Sequence, residues 1–228
     1  YGCFISPVND ESEAYQIIPP APALFAGASD WSGNNKYIIY EAVTALPSED
    51  DVAIENSRII LLSAETDEQV IVDEGTSPVF FDGTSILYLK SDGVYHMTYE
   101  MLTSGTDPDR ILAFEEYEAT RRSRIALSPS GNELVVSNPD SSKFMIYGVF
   151  AENGTLSLSV GNGFTQAAYW PVFSPDGTSL AFINASDDDS GVTEKVLAAL
   201  DLVTGEQYVV TDLSMYADNH LSLGAWTQ

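Results

Sequence analysis

One turn recurs along this chain at nearly constant spacing, and it constrains the fold more than any other feature. Its clearest copy is Pro171-Val172-Phe173-Ser174-Pro175-Asp176-Gly177-Thr178-Ser179-Leu180-Ala181-Phe182, a short strand, a Pro-Asp-Gly turn and a second alternating strand. Ile125-Ala126-Leu127-Ser128-Pro129-Ser130-Gly131 leads likewise into Leu134-Val135-Val136. Pro78-Val79-Phe80-Phe81-Asp82-Gly83 leads into Ile86-Leu87-Tyr88, and Trp31-Ser32-Gly33-Asn34-Asn35 into Ile38-Ile39-Tyr40. The turn position is held by Asn35, Gly83, Gly131 and Gly177, at intervals of 48, 48 and 46 residues. Gly, and next best Asn, tolerates the positive φ that such a turn needs.

Each interval holds four strand-like runs. In the last repeat they are 172–174, 179–183, 195–202 and 207–211; in the second, 79–81, 85–90, 94–101 and 110–114. Successive positions such as Ile86, Leu87, Tyr88 and Leu89 are all apolar, so both faces of the sheet call for burial. No segment shows a sustained helical period with caps. Four antiparallel strands every 46–48 residues is the arithmetic of a β-propeller blade. The expectation is an all-β chain: one β-propeller domain over 1–228, with complete four-stranded blades at roughly 24–75, 76–121, 122–168 and 169–215. Terminal strands within 3–18 and 221–226 are expected to close a composite fifth blade, because pairing them removes exposed edges. Ile38, Tyr40, Ile86, Tyr88, Leu134, Val136, Phe173, Leu180 and Phe182 share positions across the repeats and are expected between blades.

The Pro-Val-Phe-Ser-Pro-Asp-Gly-Thr-Ser-Leu-Ala-Phe segment resembles the WD-like propeller repeat of the TolB type. The same repeat occurs in the propeller domains of prolyl-oligopeptidase-like peptidases and in oligogalacturonate lyases. The resemblance covers about residues 24–226. The second copy lacks one residue in the turn, and the first has Gly33-Asn34-Asn35 for Pro-Asp-Gly. The repeat implies a fold and carries no reaction with it.

Charge excludes several partners. Lys plus Arg number 9 against 34 Asp plus Glu, a net charge of −25. Phosphate backbones and anionic membrane surfaces repel such a chain, so nucleic acid is not an expected partner. No run of 18 apolar residues exists to span a membrane. Cys3 is the only cysteine, which rules out an intrachain disulfide; with Gly2 before it, it is also a candidate lipid-carrying residue. Few lysines among many acids fit a marine, halophilic or exported protein better than a mesophilic cytosolic one, and the expected location is extracytoplasmic: periplasmic, cell-surface or secreted. Asn153 and Asn184 open glycosylation sequons that matter only in a eukaryotic secretory pathway.

In a propeller the fourth-to-first and second-to-third connections share one face. The fourth-to-first connections here gather Arg121, Arg122 and Arg124; Phe164, Gln166, Tyr169 and Trp170; and Tyr216, Asn219 and His220. The second-to-third connections are acidic, with Glu49, Asp50, Asp51 and Glu55, then Asp187, Asp188 and Asp189. Aromatics and a few bases inside an acidic rim suit a peptide or glycan ligand. Arg121, Arg122, Arg124, Phe164, Tyr169, Trp170, Tyr216 and His220 are therefore the candidate binding residues. The run Asn184-Ala185-Ser186-Asp187-Asp188-Asp189-Ser190-Gly191 resembles a calcium loop but lacks EF-hand spacing, and Asp187 and Asp189 are its candidate ligands. No other cofactor is expected.

Enzyme signals are thin. No nucleophile elbow, His-Glu-x-x-His, Walker loop or dinucleotide fingerprint occurs. His96 and His220 are the only histidines, too few for the multi-His metal site that the resemblance to oligogalacturonate lyases implies. The expected function is a non-catalytic binding or scaffold module that presents one face to a protein or glycan. The alternatives are a carbohydrate-active propeller enzyme with an acid pair, or a structural propeller in a larger assembly.

Overall fold

The computed structural model describes residues 4–5, 15–21, 23, 25–44, 54–115, 118–138, 142–152, 155–164, 168–187 and 193–213. They fall in two compact units, Tyr1–Phe114 and Glu115–Gln228.

In the first unit, β1 (Phe4–Ile5) pairs antiparallel with β2 (Tyr15–Gln16). The strands β3 (Phe25–Trp31), β4 (Tyr37–Val43), β5 (Ser57–Ser63) and β6 (Gln69–Glu74) form one antiparallel meander. A second follows: β7 (Thr76–Phe80), β8 (Ser85–Lys90), β9 (Gly93–Thr98) and β10 (Asp109–Ala113), with helix α1 (Tyr99–Ser104) between β9 and β10. The second unit repeats the plan twice. One sheet is β11 (Arg124–Leu127), β12 (Glu133–Asn138), β13 (Lys143–Glu152) and β14 (Thr155–Phe164). The other is β15 (Tyr169–Phe173), β16 (Ser179–Asp187), β17 (Thr193–Asp201) and β18 (Gln207–Asp212). The four-strand repeat expected over 24–215 is thus present as four sheets among the described residues.

The turn works through a serine as much as through its glycine. Ser174, at the end of β15, accepts the Gly177 N–H on its carbonyl at 2.8 Å and the Ser179 N–H on Oγ at 2.9 Å. Its hydroxyl donates to the Asp176 carboxylate at 2.6 Å, and that carboxylate also takes the Thr178 N–H. The Ser174 bond leads the effects that hold the Asp176 carboxyl below the usual range. Ser32 and Ser128 repeat the pattern, taking the Tyr37 and Glu133 N–H on Oγ and the Asn35 and Gly131 N–H on their carbonyls. Asn35, Gly131 and Gly177 have φ of 58°, 72° and 74°, the left-handed conformation expected of them.

Gly83 departs from that expectation and is not left-handed. Its turn is one residue short and has Phe81 where the others have serine. Asp82 substitutes, taking the Thr84 and Ser85 N–H groups at 2.7 Å each. Burial pushes the Asp82 carboxyl up, but the bonds from Thr84 and Ser85 outweigh it and the net shift is downward.

The alternation places the core. On β4, Ile38, Tyr40 and Ala42 join one cluster with Ile17, Ala26, Ile60 and Leu62. Ile39, from the other face of β4, joins Ile59, Leu61, Ile86, Tyr88 and Met97. In the second unit, Val135, Phe144, Ile146, Phe173, Leu180, Phe182 and Leu200 form one cluster. All nine residues expected between blades are buried. At about 25 cal/mol per Å² of apolar area, these clusters dominate stabilisation of the sheets.

Helix α1 corrects the expectation of an uninterrupted third strand over 94–101. Thr98 ends β9 and accepts the Met101 N–H on Oγ1 at 3.1 Å, a helix N-cap. Gly105 closes the far end at φ 70°. The closing strand expected within 221–226 lies outside the described residues, as does Cys3.

Candidate functional site

The fourth-to-first connection before β11 is a turn held by its own side chains. Thr120 donates its N–H to Ser123 Oγ at 3.0 Å, Ser123 returns its N–H to the Thr120 carbonyl, and Arg122 donates its N–H to Thr120 Oγ1. Ser123 is fully buried and Arg122 exposed. The turn sets Arg124 at the start of β11, where Nη1 donates to the Ser123 carbonyl at 2.8 Å and to the Arg121 carbonyl. The Arg124 guanidinium then lies 4.1 Å from the centre of the Trp170 ring, a cation–π contact.

Trp170 gets its orientation from a β-bulge. The register between β15 and β16 shifts between Tyr169 and Val172, and Trp170 sits in the shift at φ 56°. Such a φ costs a tryptophan of order 1–3 kcal/mol and is kept only where surroundings enforce it. β7 has the same shift between Thr76 and Val79, with Ser77 at φ 52°. Nearby, Ser137 donates its hydroxyl to the Ala168 carbonyl, tying β12 to the residue before β15.

The structure therefore brings Arg121, Arg124 and Trp170 together, with Tyr169 beside them on β15. It places Phe164 elsewhere in role: its ring stacks on Phe144 at 4.5 Å and packs against the core. Tyr216, His220, Gln166, Asn219, Asn153 and Asp189 lie outside the described residues, as do Glu49, Asp50 and Asp51. Asp187 is the last residue of β16, opposite Thr193, and Asn184 pairs with Val196 in the same ladder. Among the described residues, no three His, Cys, Asp or Glu side chains gather as a metal site.

Two acids of the first unit are engaged structurally. Glu41, 3% exposed, accepts Ser57 Oγ and Thr76 Oγ1 at 2.7 Å each, so it joins β4, β5 and β7. Asp30 takes the Phe80 and Trp31 N–H groups at 2.8 Å each, and burial raises its carboxyl above the usual range against those bonds. Both carboxylates hold one sheet to the next.

A cleft of about 280 Å³ that sequence reasoning missed opens in the first unit, at the end of its strands that carries the first-to-second turns. Leu61, Ile86 and Met97 are its buried lining, Val72 and Phe80 its half-buried lining, and α1 adds Tyr99 and Leu102. Asn34, Lys36, Gly83 and Thr84 come from the two turns. The Tyr37 and Tyr99 rings lie 6.1 Å apart at 34°. The signal for it was Thr98 and Gly105, the caps of the helix that lines it.

No family model matches the chain, and no curated protein sequence matches it. Solved structures do. TolB from Acinetobacter baumannii aligns over 90% of this chain and 47% of its own, with 15% identity and a TM-score of 0.58. An oligogalacturonate lyase in complex with manganese aligns over 88% of this chain and 57% of its own, with 13% identity and a TM-score of 0.59. A puromycin-hydrolysing peptidase from Mycobacterium tuberculosis aligns over 90% of this chain and 31% of its own, at 14% and 0.59. The fold is the TolB-type β-propeller. At these identities the likeness concerns the fold, and the chain spans between about a third and just over half the length of these structures. Among the described residues no helix is long and apolar enough to cross a membrane.

Proposed function

We propose that this chain is a non-catalytic binding module of an extracytoplasmic protein, and that the Arg121–Arg124 turn with Trp170 is its contact surface for a protein or glycan bearing an acidic group. The observation that carries this is the Arg124–Trp170 contact, with the tryptophan held at positive φ. Three of the nine basic residues of a chain with 34 acids stand within four positions there, at 121, 122 and 124. In so acidic a protein they make a local exception that an acidic ligand group would find. Trp and Arg are also the residues that most often dominate binding energy at interfaces. The terminal strands are proposed to complete a fifth blade; the pairing of β1 with β2 supports their belonging to one sheet.

The test is binding to printed peptide and oligosaccharide arrays by the wild type, Trp170→Ala and Arg124→Gln. The reading expects ligands whose binding falls about tenfold or more in both variants, the loss of one interfacial anchor. Binding that is unchanged in the variants would overturn it.

A further inference from the structure

The cleft of the first unit is apolar inside, yet the only charged residue among its described lining residues is a base. Among the described residues no Asp or Glu lines it, although the chain holds 34 acids and 9 bases. That base is Lys36, exposed at the rim beside Asn34 and Thr84. Lys90 and Arg110 are ion-paired, to Asp73 and Asp92, whereas the Lys36 ammonium makes no ion pair among the described residues. Its backbone is fixed, with its N–H donated to Asn34 Oδ1 at 3.0 Å and its carbonyl accepting from Ala64. Lys36 thus puts a positive charge at the rim of an apolar space, with no ion pair among the described residues.

The space has a definite size and character. About 280 Å³ is just under the range of ordinary ligand pockets, enough for one ring and a short chain. Tyr37 and Tyr99 offer tilted aromatic walls, and among the described residues neither phenol donates a hydrogen bond. Tyr99 is half exposed, whereas Met101 and Leu102 of the same helix pack half-buried against the core.

We propose that this cleft binds a small carboxylic acid with an aromatic body, its ring packed against the walls that Tyr37 and Tyr99 form and its carboxylate at Lys36. The acid is a free metabolite-sized molecule, because the cleft is too small for a longer chain to bury more than one side group. The site is built on β4–β9 and α1 of the first unit and does not depend on the Arg124–Trp170 reading.

Methyl NMR of the methionine-labelled protein tests it. Met97 lines the cleft, Met101 packs in the neighbouring core, and Met145 on β13 in the second unit is a control. The probes are 3-phenylpropanoate and its neutral counterpart 3-phenylpropan-1-ol. The acid should shift Met97 and Met101 saturably, with a Kd of about 1 mM or tighter, and leave Met145 unmoved. The alcohol should bind about threefold more weakly, the worth of one exposed charge pair. Lys36→Gln should abolish that difference, and Tyr99→Ala should weaken both probes. No saturable shift up to about 20 mM acid, equal binding of acid and alcohol, or equal shifts at Met145 would each overturn the proposal.

Discussion

Replacing Phe182 by alanine should cost about 3–5 kcal/mol of stability. Phe182 is fully buried and sits at the centre of the second unit's core. Its ring lies 5.4 Å from that of Phe144, tilted by 49°. A buried Phe removes roughly 150–250 Å² from water, which at about 25 cal/mol per Å² is about 4–6 kcal/mol before the alanine methyl is credited. The void cannot close cheaply. Across the strand pair stands Ala198, whose methyl has no torsion by which to reach into the void, and Phe144 is pinned on its other side by Phe164 at 4.5 Å. The loss should therefore fall in the upper half of the range. For a chain this long, about 4 kcal/mol lowers the melting temperature by roughly 8–16 °C. Urea unfolding followed by tryptophan fluorescence and by circular dichroism measures it. Phe164→Ala is the internal comparison: that ring is only partly buried, so it should lose about half as much. A Phe182→Ala loss below about 1.5 kcal/mol, or one no larger than that of Phe164→Ala, would refute the packing argument.

Gly177→Ala should cost about 1–2 kcal/mol in the same assay, because φ there is 74°, whereas Asn35→Gly at φ 58° should be neutral or slightly stabilising. Equal effects at the two turns would contradict the serine-anchored geometry. Thr98→Ala should remove the cap of α1 for about 1 kcal/mol and raise amide exchange over 99–104; unchanged exchange would show the helix held by packing alone. Burial holds the His96 pKa below the usual 6.5, against the pull of Asp109 and Asp82. The unfolded chain thus takes the proton first, and stability should decline as pH falls below about 6.5 toward the folded pKa. His96→Gln should flatten that decline between pH 7.5 and 5; an identical melting-temperature drop in both proteins would count against it.

The sheets were legible because their signal is redundant. Ile38, Ile39 and Tyr40, and again Ile86, Leu87 and Tyr88, are buried on both faces, and a serine-anchored, left-handed turn precedes three of the four second strands. What escaped was local and short. Six helical residues complete fewer than two turns, so no 3.6-residue period could emerge from 99–104; only the cap pair Thr98 and Gly105 announced them. Gly83 matched by spacing alone, and the missing serine at Phe81 was the sign that a carboxylate would close that turn differently. The bulges at Ser77 and Trp170 had no spacing signal, since the register shift shows only in the partner strand.

The candidate sites follow from the repeat more directly than from their composition. Arg124 and Trp170 are 46 residues apart, one repeat interval, and so occupy equivalent positions in successive blades; they meet as cation and ring. Lys36 and Thr84 are 48 apart, again one interval, and both line the cleft. Equivalent positions on consecutive blades are brought close at the same end of their strands, so the interval itself is a contact rule. The grouping by connection type held both Arg124 and Trp170, and it also admitted Phe164, the last residue of β14, which pairs with Phe144 and stacks on it as part of the core. Reading pairs one interval apart would have found the Arg124–Trp170 contact and half of the cleft's rim. It would not have found which way the tryptophan faces, because that depends on the bulge, nor the cleft's depth, because that depends on where Thr98 stops a strand and starts a helix.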